Sequence, residues 1–481
     1  MIKELHQKLE KKEITSLEIT QKCLAKIKKD NEKLNAFLNI YEKEALEKAK
    51  EVDEKISKGK DIGLLEGIPC AVKDNICFKS KKTIASSKIL ENYTASYDAT
   101  VIKKLSYENA IFLGKTNLDE FAMGSSTENS AFGPTKNPLD EKRVPGGSSG
   151  GSAVAVVEDM VVWALGSDTG GSIRQPANFC GCVGMKPTYG RVSRYGLIAM
   201  ASSYDQIGPL AKNIEDASIV LDAISGKDEK DGTTIEKKDS FFENLNSDIK
   251  GKKIGVLREF LDNGLDERIR KDIESQIEKL KNLGAEIVEV EMPDLKNILA
   301  IYYLMVAPEV SSNLARFDGI KYGFSEALEK NSKSNDILDV YKFSRQKALG
   351  AEPKRRIILG TYALSAGYYD AYYKKAQKAR EMIKWKFWEV FQKVDAILSP
   401  VSPTLPFKIG EKSDNPLEMY LADIFTVSIN VAMIPALALP TGKVTEDGKE
   451  LALGVQLIGK WWGEQEILNI GKALEESNSY N

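Results

Sequence analysis

Histidine is almost absent from this chain of 481 residues: the one present is His6. A Ser-His-Asp relay needs an imidazole beside its nucleophile, so a serine nucleophile here needs another base. Cysteine is sparse as well. Cys23, Cys70, Cys77, Cys180 and Cys182 are odd in number and irregular in spacing, which argues against a disulfide framework. Cys180-Gly-Cys182 lacks the second close pair or nearby histidine that would complete a structural zinc set, so reduced thiols and no metal are expected. No stretch approaches the roughly 20 apolar residues of a membrane helix. The opening Met-Ile-Lys-Glu-Leu-His carries no signal-peptide core, so a cytoplasmic protein is expected. A basic excess is missing too: 68 Lys and Arg face 70 Asp and Glu, for a net charge of −2. A chain that grips nucleic acid alone usually shows a basic stripe, so any such contact is expected to fall mostly to a partner.

What is present is ordinary in amount and informative in arrangement. Hydrophobic residues make up 42% and charged residues 29%, values of a globular protein, and the length allows one large α/β domain or two. Residues 2–58 read as helical, with Thr15 and Glu18 at capping-box spacing. Short apolar runs then alternate with helical patterns. Candidate strands are 69–72, 110–113, 154–157, 253–257, 287–290, 396–398, 436–439 and 452–458. Pro435 and Pro440 bracket the run at 436–439 and confine it to a short element. Ile269, Ile273, Ile277 and Leu280 fall on one helix face. The alternation predicts a central sheet with helices on both faces. The polar stretch 225–250 reads as a surface excursion.

Chemistry concentrates in residues 146–176. Gly146-Gly-Ser-Ser-Gly-Gly-Ser leads into an apolar run, and Gly166-Ser-Asp-Thr-Gly-Gly-Ser-Ile-Arg-Gln-Pro follows. Ser148 and Ser172 thus sit in two glycine-rich turns 24 residues apart, a length in which a helix and a strand can bring both turns to one pocket. Consecutive glycines let a backbone turn its N–H groups toward a ligand, where they can stabilise an oxyanion. Read alone, Gly170-Gly171-Ser172 is equally a helix cap. Lys73 closes the run Gly67-Ile-Pro-Cys-Ala-Val and is the candidate base. Its ordinary pKa of about 10.4 must be lowered by burial or a neighbouring cation before it can accept a proton. Gly114-Lys115-Thr116 imitates the end of a phosphate-binding loop, but Asn109 stands where that motif needs glycine.

Together, Lys73 and the two glycine-serine turns resemble the amidase signature family. The resemblance implies a single amidase domain over 1–481, with an N-terminal helical segment to about 60 and a signature core over about 60–215. The fold implied is α/β/α, a central mixed β-sheet covered by helices on both faces. It implies a Ser–cis-Ser–Lys triad, with Ser172 as nucleophile, Ser148 as bridge and Lys73 as base, and a cis Gly147–Ser148 bond. Thr169, Gly170 and Gly171, with Ser172, would supply the oxyanion hole.

Further blocks, among them Lys186-Pro-Thr-Tyr-Gly-Arg, Arg355-Arg-Ile-Ile-Leu-Gly-Thr-Tyr and Asp423-Ile-Phe-Thr-Val-Ser-Ile-Asn, are similar to one branch of that family. Its members are glutaminase subunits of a heterotrimeric, tRNA-dependent amidotransferase. The branch implies glutamine as substrate, with Arg356 for its α-carboxylate and Asp423 for its ammonium. It implies the B and C subunits of that enzyme as partners, no cofactor in this chain, and ATP and Mg on a partner. Misacylated tRNA would be met mainly through the B subunit, and no membrane is involved. A stand-alone amidase acting on small aliphatic or aryl amides is the competing expectation, and a silent scaffold is disfavoured by the intact Lys73, Ser148 and Ser172.

Overall fold

The apolar runs assemble into one sheet of eleven strands in a computed structural model that describes residues 1–236, 240–261, 264–292 and 295–479. In chain order these are β1 (Phe37–Ile40), β2 (Pro69–Lys73), β3 (Ile111–Thr116), β4 (Trp163–Asp168), β5 (Val183–Lys186) and β6 (Gln206–Ala211). The second half adds β7 (Lys253–Leu257), β8 (Glu286–Val290), β9 (Ala396–Pro400), β10 (Ala436–Glu446) and β11 (Lys449–Gly459). Their order across the sheet is β1-β3-β2-β4-β6-β5-β10-β11-β9-β7-β8. β2 runs parallel to β3 and β4, and β7 parallel to β8 and β9, while the other pairs are antiparallel, so the sheet is mixed. Every residue of β2 and β4 is buried. Since successive side chains point to opposite faces, both faces of the sheet are covered there, as expected for an α/β layer fold.

Three expectations are corrected. The run 154–157 is the end of a helix, Gly150–Val157, rather than a strand. All but its last residue are buried, so the run shows no polar face, and a short buried apolar run has the same pattern in helix and strand. The segment 2–58 is not helical throughout: the helices Ile2–Glu10, Ser16–Leu34 and Glu42–Ser57 are interrupted by β1. The Thr15–Glu18 capping box is present, and Asn35, in the left-handed region at φ 52°, ends its helix. Strand β10 passes through Pro440 to Glu446: Pro440 keeps its place opposite Gly454, and a bulge at Thr441 follows it before Gly442 pairs with Leu453. β1, β4, β5 and β6 have no counterpart among the expected strands. Of the polar stretch 225–250, residues 237–239 lie outside the described residues. The rest runs over the surface, mostly exposed or half-buried, and is anchored by Asp228 accepting from Ser193 (2.6 Å) and Asp231 from the Arg194 guanidinium (2.9 Å).

Among the described residues, no helix is long and apolar enough to cross a membrane. All five cysteines are free and buried.

β2 and β4 are neighbours that run the same way, with Val72 beside Leu165. Their C-terminal ends, Lys73 and Asp168, therefore open at the same edge of the sheet, where parallel α/β sheets place their ligands.

Candidate active site

The turn after β4 runs straight from Asp168 through Thr169-Gly170-Gly171-Ser172 into the helix Arg174–Cys180. Ser148 immediately precedes Ser149, the N-cap of the helix Gly150–Val157. Both turns thus stand where a helix starts, and they touch: the Ser149 N–H donates to the Ser172 carbonyl at 3.0 Å. The Gly147–Ser148 peptide is cis, as expected. Gln175 holds the Gly147 N–H through Oε1 at 3.0 Å.

Lys73 reaches this junction fully buried. Its Nζ donates to Ser148 Oγ (2.7 Å), Ser149 Oγ (2.8 Å) and the Ser167 carbonyl (3.1 Å). No carboxylate is ion-paired with it among the described residues. Burial therefore dominates and pushes its pKa down to about 7, opposed only by the more distant Asp119, Asp168 and Asp205. This is the tuning a lysine base requires.

Ser172 keeps 7% exposure, and its Oγ makes no hydrogen bond to a described residue, which leaves the hydroxyl available. The N–H groups of Thr169, Gly170 and Ser172 also lack a partner among the described residues, as an oxyanion hole needs. Gly171 differs. Its N–H is already held by Asp168 Oδ1 at 2.9 Å, so this glycine braces the turn. At φ +135°, with Thr426 Oγ1 only 2.4 Å from where a Cβ would sit, no side chain fits at Gly171. A Cβ on Gly170 would lie 2.4 Å from Tyr302 Oη.

A buried ion pair sets the turn. Asp168 accepts from Gly171, Ile173 and Asn430, and takes Arg174 through Nε and Nη2, both at 3.1 Å. Burial opposes its charge, but Arg174 holds the carboxyl well below the usual range. Arg174 also donates to the Thr426 carbonyl, Gln456 and Asn430, so its planar fork is used on every side. Thr426 Oγ1 in turn donates to the Gly170 carbonyl at 2.6 Å. The peptide between Gly170 and Gly171 is thereby clamped at both ends, by Thr426 and by Asp168. Ser149, Arg174 and Thr426 all lie in sequence blocks already singled out. Only the fold reveals their work.

Arg356 and Asp423 sit on separate elements. Arg356, on the helix Ala351–Leu364, bonds Glu352 one turn away (Nε to Oε1, 2.7 Å). Its guanidinium lies 5.3 Å and 5.5 Å from the ring centres of Tyr303 and Tyr420, which stack on each other. Its Nη1 and Nη2 have no partner among the described residues, which leaves a fork free for a carboxylate. Arg356, Glu352 and Tyr420 line one cavity with Gly124 and Ser126. Between those two, Ser125 Oγ donates to Asp423 Oδ2 at 2.6 Å. Burial pushes Asp423 up to about 7 despite that bond and the field of Arg356. Three or more metal-ligating side chains are nowhere grouped among the described residues.

The family model described as Amidase matches residues 18–468. The A subunit of glutamyl-tRNA(Gln) amidotransferase from Thermoanaerobacter pseudethanolicus is 52% identical over 100% of this chain and 96% of its own length. The Clostridium acetobutylicum protein named as the second A subunit of the same amidotransferase is 54% identical over 99% of this chain and 98% of its own. Among solved structures, the glutamyl-tRNA(Gln) amidotransferase A subunit from Thermotoga maritima superposes with a TM-score of 0.79 at 41% identity, covering 97% of this chain and 92% of that one.

Proposed function

The chain belongs to the amidase family, and from that premise we propose that it is the glutaminase component of a glutamyl-tRNA(Gln) amidotransferase, folded as one domain over 1–481. The observation that carries the reading is the buried Lys73 on Ser148, one hydrogen bond from the Ser172 turn, in a chain 52% identical throughout its length to a protein named as that enzyme's A subunit.

Neutral Lys73 takes the Ser148 proton while Ser148 takes that of Ser172. Ser172 Oγ then attacks the side-chain amide carbon of glutamine. The developing oxyanion is met by the N–H groups of Thr169, Gly170 and Ser172, worth roughly 2.7–4 kcal/mol for each essential donor. The proton returns through Ser148 to the amide nitrogen, the C–N bond breaks and ammonia leaves. Water attacks the glutamyl ester, releasing glutamate and restoring Ser172. Arg356 grips the α-carboxylate through its free nitrogens and ionised Asp423 meets the ammonium, so the pocket selects an amino acid over a plain amide.

The B and C subunits of the amidotransferase are the partners in this reading. ATP and Mg on the B subunit would activate misacylated Glu-tRNA(Gln), or Asp-tRNA(Asn), for the ammonia made here. The site is expected to work in the cytoplasm. The test is glutamate release from glutamine by this chain co-purified with B and C, with and without ATP and Glu-tRNA(Gln). Release that rises with both supports the coupled glutaminase. Turnover of simple amides without glutamine would assign a stand-alone amidase instead.

A further inference from the structure

The helix Ala351–Leu364 has two different faces. Inward, it carries Glu352 and Arg356; outward, Ile358 is 67% and Tyr362 51% exposed. The helix Lys374–Val390, reached through the π-helical turn Tyr369–Tyr373, repeats the pattern, with Met382 71% and Trp385 63% exposed. Single exposed apolar residues are normal, but a contiguous patch marks an interaction surface. This one is contiguous. The rings of Tyr362 and Tyr368 are 4.3 Å apart and those of Tyr368 and Tyr372 5.8 Å, which carries the patch from one helix to the next. Lys375, Lys378, Met382 and Trp385 then follow at helical spacing on one face.

Charge narrows the occupant. Lys384 and Lys386 are paired with Glu381 and Glu389, but Lys375 and Lys378 have no acidic partner among the described residues. A surface of bare ammonium groups beside aromatic and aliphatic side chains complements an acidic, apolar helix. At a two-fold contact a second copy would bring the same unpaired lysines, while the carboxylates of this face, Asp370, Glu381 and Glu389, are already paired with Lys374, Lys384 and Lys386. Ile358, Leu359 and Met382 offer nothing to a phosphate backbone, which would be met by cations and stacking rings alone.

We propose that the outer face of these two helices docks an acidic, apolar helix of a partner protein in the amidotransferase. The proposal rests on the reading of this chain as one component of that complex. It places the partner on the helix whose inner face holds the glutamine carboxylate fork, about one helix diameter (roughly 10 Å) away.

The test measures binding of the full chain to the co-expressed B and C subunits, for wild type, Lys378→Glu and Trp385→Ala. Each substitution is expected to weaken the complex at least about tenfold, with labelling of Ser172 by a sulfonyl fluoride probe and the melting temperature unchanged. Lys378→Glu should also flatten the salt dependence of binding, since a surface ion pair is screened. Wild-type binding that both variants retain overturns the docking face and leaves the amidotransferase reading standing. Variants that keep B and C but lose flotation with phosphatidylglycerol vesicles, or lose tRNA binding, overturn it in favour of a lipid or nucleic-acid surface. If wild type is labelled at Ser172 yet binds neither B nor C, the amidotransferase reading falls and the docking face with it.

Discussion

Lys73 and Arg356 are both buried cations of one candidate site, but their surroundings are opposite. Lys73 at the end of β2 is given two hydroxyls and a carbonyl and, among the described residues, no ion-paired carboxylate, and burial lowers its pKa to about 7. Arg356 is given Glu352 at 2.7 Å and the faces of two tyrosines. The difference fits the roles proposed for the two cations. A base has to shed its proton near neutral pH, so an anion alongside would defeat it; a recognition group has to stay charged, so an anion alongside helps it. The environments differ in completeness too. Asp168 and Arg174 spend nearly all their hydrogen-bonding capacity on the protein, whereas Arg356 leaves two nitrogens without a partner among the described residues. The two serine turns are already braced by the protein, and in the proposed reading the Arg356 side is completed by substrate.

The strongest way to break the comparison is on its chemical side. Lys73→Ala or Ser172→Ala should each lower kcat/KM for glutamine by roughly 10⁴-fold or more, because triad members act as a unit. Glutamate release by the complex is the measurement, and the double variant should lose little beyond either single one. Near-additive losses would mean the two residues do not share one proton path.

On the recognition side, Arg356→Ala should raise KM for glutamine about 100-fold, equivalent to about 2.7 kcal/mol, while sparing a simple amide such as propionamide. Equal losses on both substrates would place Arg356 in the scaffold through its Glu352 pair.

How far was this legible beforehand? Lys73, Ser148 and Ser172 stood out only as a combination that resembles a family pattern, since a glycine-serine turn read alone is equally a helix cap; the structure adds that Lys73 bonds Ser148 and that the two turns touch. The α/β layering was legible in the alternation of short apolar runs with helical patterns. Conformation was less so. Gly150–Val157 hides its helix because it is buried on all sides, and β4 ends in the polar Gly-Ser-Asp that reads as a turn. The clamp by Thr426 was invisible, since it joins residues 256 apart in sequence through a carbonyl that any residue possesses. Spacing along the chain reports side chains. It does not report which backbone groups are left unpaired.

A pH profile sharpens the comparison with a smaller effect. Lys73 must be neutral to act and Asp423 ionised to hold the ammonium, and both titrate near 7. Raising pH through 7 deprotonates both, so activity rises with pH. Below that point log kcat/KM should climb with a slope of two for glutamine and one for a simple amide. Asp423→Asn should reduce the glutamine slope to one. A slope of one for both substrates in the wild type would remove Asp423 from recognition.

The mildest change tests the bracing itself. Thr426→Val removes the hydroxyl that donates to the Gly170 carbonyl while keeping the shape of the side chain. The hydroxyl also reaches the Asp423 carbonyl (3.0 Å), but the N–H groups of Thr426 and Val427 keep that carbonyl held, so the peptide that loosens is the one in the turn proposed to present the oxyanion donors. The cost should therefore fall on kcat, about tenfold, with KM and the pH midpoint unchanged, because a group acting only in the transition state moves kcat alone. Thr426→Ser restores the donor and should recover most of the loss. If Thr426→Ser is as slow as Thr426→Val, the methyl group packed beside Gly171 is what matters, and the clamp acts by filling space.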